Sequence, residues 1–357
     1  MLVEQLKNVF DQFKHNGKYV DHKIIGSGHI NDTFLIHTDG DRAYVLQRIN
    51  HNIFKDIPGL VKNKVTVSKH IKAKLKHLPK EELEKKVLCF VKVKNSELYH
   101  LKEGENYWNL MVYVKESYTH EIVRNEQMAY EGGKLLGEFL NLTGDIDSSA
   151  LTEVIPNFHD MSFRYHQYRI ALQSANKVRL QQVLTYTKLV SEMKEEMHIL
   201  QDLKRLGKIP LRVTHNDTKI SNTLFDKNNT GLCIIDTDTV MPGIVHYDFG
   251  DAIRTICNTS TEDEKDLSKV TFNLTHYKAY LKGFLEQMEG VLSSLELKYL
   301  PLAAKTMIFI MALRFLTDYL NGDVYYKTKY PKHNLDRAKN QFKLLESMSN
   351  QMLKIEN

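Results

Sequence analysis

Residues 211–253 constrain this chain more than any other stretch, because they do not read like their surroundings. On either side apolar residues recur at helical spacing. Met128, Leu135, Leu136 and Phe139 mark one such face, and Leu189, Met193, Met197, Leu200 and Leu203 another. Between these helices and the ones that follow lies VTHNDTKISNTLFDKNNTGLCIIDTDTVMPGIVHYDFGD. Two short apolar runs, 223–225 and 232–235, flank turn residues 227–231, which predicts a β-hairpin set into a helical region. Ahead of the hairpin His215, Asp217, Lys219 and Asn222 stand at the spacing H-x-D-x-K-x-x-N. The apolar strand after it ends in Asp236.

The rest of the chain divides in two. Residues 20–25, 33–37, 42–49, 87–93 and 108–114 are short β-type runs, and residues 58–78 have helical spacing at Leu60, Val67, Ile71 and Leu75. Beyond residue 125 helices dominate. Ser293 and Glu296 have capping-box spacing before a helix expected to run past Met307, and Asn334 is expected to cap a last helix carrying Ala338, Phe342 and Leu345. We expect an α+β protein with a small β-rich lobe over residues 1–115 and a larger, mainly helical lobe over 116–357. The length of 357 residues fits two such units.

Composition narrows the function classes. Lysine and arginine total 49 against 44 acidic residues, a net charge of +5. The lysine-rich 58–78 segment has neither interleaved aromatics nor a nucleic-acid motif, so no nucleic-acid partner is expected. A few placed cations still suit a small anionic ligand. Cys89, Cys233 and Cys257 fit neither a disulfide framework nor a zinc motif, and read as free thiols of a reducing compartment. With no long uncharged apolar run and no signal-peptide pattern at the start, neither membrane nor export is expected, which gives a cytoplasmic protein.

The H-x-D-x-K-x-x-N run with its later aspartate resembles the catalytic loop and metal-binding aspartate of the protein-kinase-like phosphotransferases. Phosphoryl transfer needs a base at the attacking hydroxyl, a cation over the moving phosphoryl group, and hard oxygen ligands for Mg²⁺. In that scheme Asp217 is the base and Lys219 the neutralising cation. Asn222 and Asp236 are the metal ligands, and His215 orients the loop. Asp238 is either a second metal contact or a solvated loop carboxylate. Asp248 resembles the later aspartate that braces the catalytic loop in small-molecule kinases of this fold. Upstream, GSGHINDTF offers Gly26, Ser27 and Gly28 to nucleotide phosphates. The strand that should carry a phosphate-binding lysine reads YVLQRIN, so Gln47 or Arg48 stands there. No glutamate partner is evident in 58–78. Residues 108–114, with Met111 and Tyr113, resemble the strand leading to an interlobe hinge where the adenine of ATP binds.

No protein-kinase activation segment follows Asp236. The chain is similar instead to the aminoglycoside and choline phosphotransferase superfamily. Together GSGHINDTF, YVLQRIN, IPNFHD, the central segment and RFLTDYLNGDVYY resemble the N-acetylhexosamine 1-kinases, over about residues 20–345. That resemblance implies ATP- and Mg²⁺-dependent phosphorylation of the anomeric hydroxyl of N-acetylglucosamine or N-acetylgalactosamine. It implies His29, Asp32, Asp217, Arg314 and Tyr325 as sugar-site residues. Arg314 lies in the apolar run IFIMALRFL, so it either pairs with Asp318 one helical turn on or binds a ligand. Tyr325 follows an Asn-Gly turn and either lines a cleft or simply packs. An aminoglycoside, choline or homoserine kinase, or a nucleotide-binding pseudokinase, are the competing readings.

Overall fold

The computed structural model describes residues 2–25 and 30–356, with the backbone alone for Leu2 and for residues 354–356. Gly26, Ser27, Gly28 and His29 therefore lie outside the described residues.

Helix α1 (Leu2–Phe10) buries Leu6, Val9 and Phe10, with Phe13 just beyond it, against one face of a six-stranded antiparallel sheet. The strands are β1 (Tyr19–Ile24), β2 (Asp32–Thr38), β3 (Tyr44–Ile49), β4 (Phe90–Val91), β5 (His100–Glu103) and β6 (Asn106–Val112). Their order is β1-β2-β3-β6-β4, and β5 pairs with the other end of β6. The pleat divides the residues by parity. Phe34, Ile36, Tyr44, Leu46, Trp108 and Leu110 pack towards α1. Val45, Gln47, Ile49 and Met111 point the other way, where helix α2 (Ile57–Lys74) packs through Ile57, Leu60 and Val61. Asp56 caps α2 by accepting the Gly59 N–H at 2.9 Å. A short α3 (Lys80–Lys86) leads into β4.

The remainder is mainly helical: α4 (Glu126–Leu142), α5 (Met161–Ser174), α6 (Lys177–Arg205), α7 (Val245–Ile256), α8 (Leu274–Met288), α9 (Ser294–Lys298), α10 (Leu300–Leu320) and α11 (His333–Glu356). Two small strand pairs sit among them. β7 (Arg212–Thr214) pairs with β10 (Met241–Gly243), and β8 (Thr223–Phe225) with β9 (Gly231–Ile234), the expected hairpin. Helices α4 and α8 approach backbone to backbone. A Cβ on Gly133 would lie 2.1 Å from the Tyr280 carbonyl oxygen, so only glycine permits this crossing. Asn63 of α2 ties the two regions together, donating to the carbonyls of Thr152 (2.7 Å) and Val240 (2.8 Å). The result is the expected two-lobed α+β, protein-kinase-like architecture.

Two expected boundaries need correction. The Ser293–Glu296 capping box forms, but α9 ends at Lys298 and α10 starts separately at Leu300, with a proline in its first turn. Asn334 does not cap the last helix. It lies inside α11, fully buried, and donates to Asp318 (2.8 Å) and Asp323 (3.0 Å). Among the described residues α10 alone is long and apolar enough to cross a membrane, yet it forms the centre of the helical core. The three cysteines are unpaired.

Candidate active site

The β7–β10 pair launches the loop that holds His215, Asp217, Lys219 and Asn222. Asp248, at the start of α7, accepts the backbone N–H of His215 (2.7 Å) and of Asn216 (2.6 Å). Asn216 has a φ of 63°, a left-handed conformation that costs energy in an asparagine less than in most residues. Its side-chain amide donates to the carbonyls of Thr214 (3.3 Å) and Thr239 (3.1 Å). Asp251, which sequence reasoning did not single out, accepts the Thr218 N–H at 3.1 Å and is itself held by Arg254 at 3.0 Å. Burial pushes the Asp248 carboxyl up to about 7 although both amides favour its ionised form. His215 is fully buried, and that burial lowers its pKa and keeps the ring neutral. Its Nε2 donates to the Ile235 carbonyl at 2.9 Å, so its Nδ1 accepts the Asp217 N–H at 3.3 Å. His215 and Asp248 thus both hydrogen-bond the backbone of the 215–217 turn or of the strand beside it.

Asp217 is held from two sides. Lys219 donates to its Oδ2 at 2.9 Å, and Asn222 Nδ2 donates to the same oxygen at 2.9 Å and to the Asp217 carbonyl at 2.8 Å. Burial alone would raise the Asp217 carboxyl. The Lys219 charge and hydrogen bond, with His215 and Asn222, more than offset it, so the group lies below the usual carboxylate value. Lys219 is held above its usual value: burial opposes the charge, but Asp217 and Asp236 outweigh it.

Asp236 follows β9 with φ 59° and ψ 52°, a left-handed backbone that turns its side chain off the strand line. Among the described residues no donor reaches its carboxylate, and burial with the nearby charges of Asp238 and Asp217 raises its pKa. The Lys219 and Lys64 charges offset part of that effect, but both ammoniums donate to other carboxylates, Asp217 and Asp238, which leaves the Asp236 oxygens free to take a cation. The Oδ1 of Asn222, whose amide nitrogen is committed to Asp217, is a second hard oxygen. No cluster of three or more His, Cys, Asp or Glu forms among the described residues. Two protein oxygens suit a cation that takes its other ligands from phosphate and water.

On the sheet the alternatives separate. Gln47 faces α2 and is 6% exposed. Arg48 lies on the opposite face, ion-paired with Asp32 and 5.9 Å from the Trp108 ring centre. The pleat therefore turns Arg48 and Asp32 away from Asp217 and towards each other. Sequence reasoning missed Lys64 of α2, whose Nζ lies 3.2 Å from Gln47 Oε1 and forms an ion pair with Asp238. Asp238 is thus not a solvated loop carboxylate; it is 3% exposed. Met111 lines an apolar layer with Val45, Leu88, Val114 and Leu224, which joins the sheet to the β8–β9 hairpin. The N–H of Tyr113 is already committed to the Ala43 carbonyl at 3.0 Å.

On the helical side the structure brings Arg314 and Tyr325 together. Asp318 is not the partner of Arg314; it accepts the N–H groups of Val324 (3.0 Å), Tyr325 (2.8 Å) and Tyr326 (2.9 Å) and so shapes the loop after α10. The Arg314 guanidinium lies instead over the rings of Phe158 (5.3 Å), Tyr326 (5.6 Å) and Tyr325 (6.0 Å). A second guanidinium, that of Arg164, holds the Phe158 carbonyl at 2.7 Å. Burial and the neighbouring Arg314 charge lower Arg164 to about 10. Among the described residues neither arginine has a carboxylate partner within ion-pair distance. The IPNFHD stretch also gains a purpose. Phe158 is the floor under Arg314, and Asp160 caps α5 through the Phe163 N–H at 2.8 Å. His159, held neutral by burial with a pKa of about 3, hydrogen-bonds the Asn216 carbonyl at 3.0 Å and so links this floor to the catalytic loop.

Comparison with known proteins points the same way. A model described as the phosphotransferase enzyme family matches residues 21–269. An aminoglycoside phosphotransferase from Alicyclobacillus acidocaldarius shares the fold with a TM-score of 0.60 at 12% identity, over 96% of this chain and 95% of that one. A choline kinase from Cryptosporidium parvum gives a TM-score of 0.56 at 14% identity, over 96% and 92%. Amicoumacin kinase hAmiN, solved in complex with AMP-PNP, Ca²⁺ and Ami, gives 0.60 at 13% identity, over 96% and 93%.

Proposed function

We propose that this chain, which belongs to the APH phosphotransferase enzyme family, moves the γ-phosphoryl group of ATP to the anomeric hydroxyl of an N-acetylhexosamine. The observation that carries the phosphotransfer reading is the Asp217–Lys219–Asn222 constellation beside an Asp236 carboxylate with no protein donor. Asp217, kept ionised, orients the acceptor hydroxyl and takes its proton as the oxygen attacks phosphorus. Lys219, two residues on, neutralises charge on the transferring group. Asn222 and Asp236 would hold Mg²⁺, which when bound with the nucleotide offsets the phosphate charge. The relative solved with AMP-PNP and Ca²⁺ supports a nucleotide and a divalent cation.

The acceptor reading rests on Arg314 and Arg164. The Arg314 guanidinium over Phe158, Tyr325 and Tyr326, and the Arg164 guanidinium on the Phe158 carbonyl, neither paired with a carboxylate among the described residues, supply donors for hydroxyl and acetamido oxygens beside an apolar floor for a sugar face. Such a site repels a cationic acceptor such as an aminoglycoside or choline. In this reading residues 1–115 form the nucleotide lobe and residues 116–357 the catalytic and acceptor lobe.

ADP release measured over N-acetylhexosamines, neutral hexoses, amino alcohols and aminoglycosides tests both parts. The expected result is turnover of an N-acetylhexosamine that stops when EDTA removes the divalent cation. Turnover restricted to cationic acceptors would overturn the acceptor reading. A lack of ADP release with every acceptor would overturn the kinase reading.

A further inference from the structure

The strand that faces the catalytic loop carries no lysine, yet a lysine ammonium is present at that place. Lys64, 2% exposed, enters from helix α2 on the Leu60–Val67 face. Its Nζ meets Gln47 Oε1 at 3.2 Å and forms an ion pair with Asp238, two residues beyond Asp236. The other carboxylate oxygen of Asp238 accepts from Asn31, whose Oδ1 in turn accepts the Asn50 N–H at 2.8 Å at the end of β3. A buried ammonium is costly unless paired, and a buried ion pair adds little to stability over an apolar pair of the same size. Stability alone is therefore a weak reason for a Lys–Asp pair between the sheet and the Asp236 turn. An ammonium has three N–H donors. Gln47 and Asp238 take two, and the third is uncommitted among the described residues.

We propose that Lys64 is the phosphate-binding cation of this enzyme, carried on helix α2 instead of on the strand, with Gln47 at the strand position and Asp238 as the counter-ion that aims it. The proposal rests on the kinase reading above. It makes the strand-and-helix pair run in reverse: the polar neutral residue sits on β3 and the cation on α2.

The test measures binding of adenosine, ADP and ATP by calorimetry without divalent metal, so that changes at Asp238 are not read through a metal ion. The variant K64M/D238N removes both charges together and leaves no unpaired buried ion, so the fold is retained. The expected result is a loss of about tenfold or more in ADP and ATP affinity, the scale of one charged hydrogen bond, with adenosine unchanged. The swap Q47K/K64Q returns an ammonium from the strand side and is expected to recover most of the loss. ADP and ATP affinities in K64M/D238N within twofold of the parent would overturn the proposal and leave Lys64–Asp238 a structural pair. If the parent chain binds none of adenosine, ADP and ATP, either without metal or after Mg²⁺ is added, the kinase reading has failed first, and the two failures are told apart.

Discussion

Asp217 is the one carboxylate of the loop that is both held and left available. Its Oδ2 takes Lys219 and Asn222, while Asp248 is consumed by two backbone amides. That division of labour predicts the behaviour of D217N. The amide keeps the size of the side chain but cannot accept a proton, so kcat should fall by about 10²–10⁴-fold while nucleotide affinity stays within about twofold. Steady-state kinetics with nucleotide calorimetry check this, and retained kcat would remove Asp217 from the base role. The loop was legible because four polar residues at fixed spacing precede a hairpin and a strand that ends in aspartate. The cations around it were not. Helix α2 carries many lysines, and only the one in the helical slot between Leu60 and Val67 turns inward. The slot was readable, but a charge on an apolar face does not reveal what it will meet. Arg164 was missed for a related reason: Arg314, the charge it sits beside, is distant in sequence.

Single elements show where periodicity succeeds and fails. Helix α4 and the β8–β9 hairpin form where pattern and turn residues place them. Helix α5 buries only Met161, Tyr168 and Ala171, so no apolar stripe announced it. The break between α9 and α10 turns on one capping box and one proline, and it matters to the site. Glu296 closes that box with Ser293 and also holds Arg212 of β7 at 2.9 Å, the strand that launches the catalytic loop. Burial pushes the Glu296 carboxyl up, but the Arg212 hydrogen bond and the Ser293 amide more than offset it, so the group lies below the usual carboxylate value. The fold therefore favours the ionised form. Its contribution is present above the unfolded value and is lost as pH falls through the folded one. E296Q, which leaves Arg212 without its counter-charge, should cost about 3 kcal/mol at neutral pH. Thermal melts across pH check this: the Tm gap to the parent should be widest near pH 7 and narrow below about pH 4.5. A gap that is constant with pH would mean the ion pair contributes nothing.

At the scale of the whole molecule, the two-lobed architecture was legible from the change of period between the first strands and the later helices. The boundary between the lobes, which we propose near residue 115, is crossed by Asn63 and by Lys64. The small net charge of +5 concealed a local concentration of cations: Lys64 and Lys219, which we propose serve the phosphates, and Arg164 and Arg314, which we propose serve the acceptor. The proposed reaction transfers a phosphoryl group to one oxygen of one acceptor. The ³¹P NMR spectrum of a reaction containing the chain, ATP, Mg²⁺ and N-acetylglucosamine or N-acetylgalactosamine tests that directly. A phosphate at the anomeric oxygen couples to the single anomeric proton, so the account predicts a new doublet with stoichiometric ADP. A triplet, from a phosphate on the primary hydroxyl, would contradict the acceptor assignment. Absence of any sugar phosphate with both sugars would contradict the central claim.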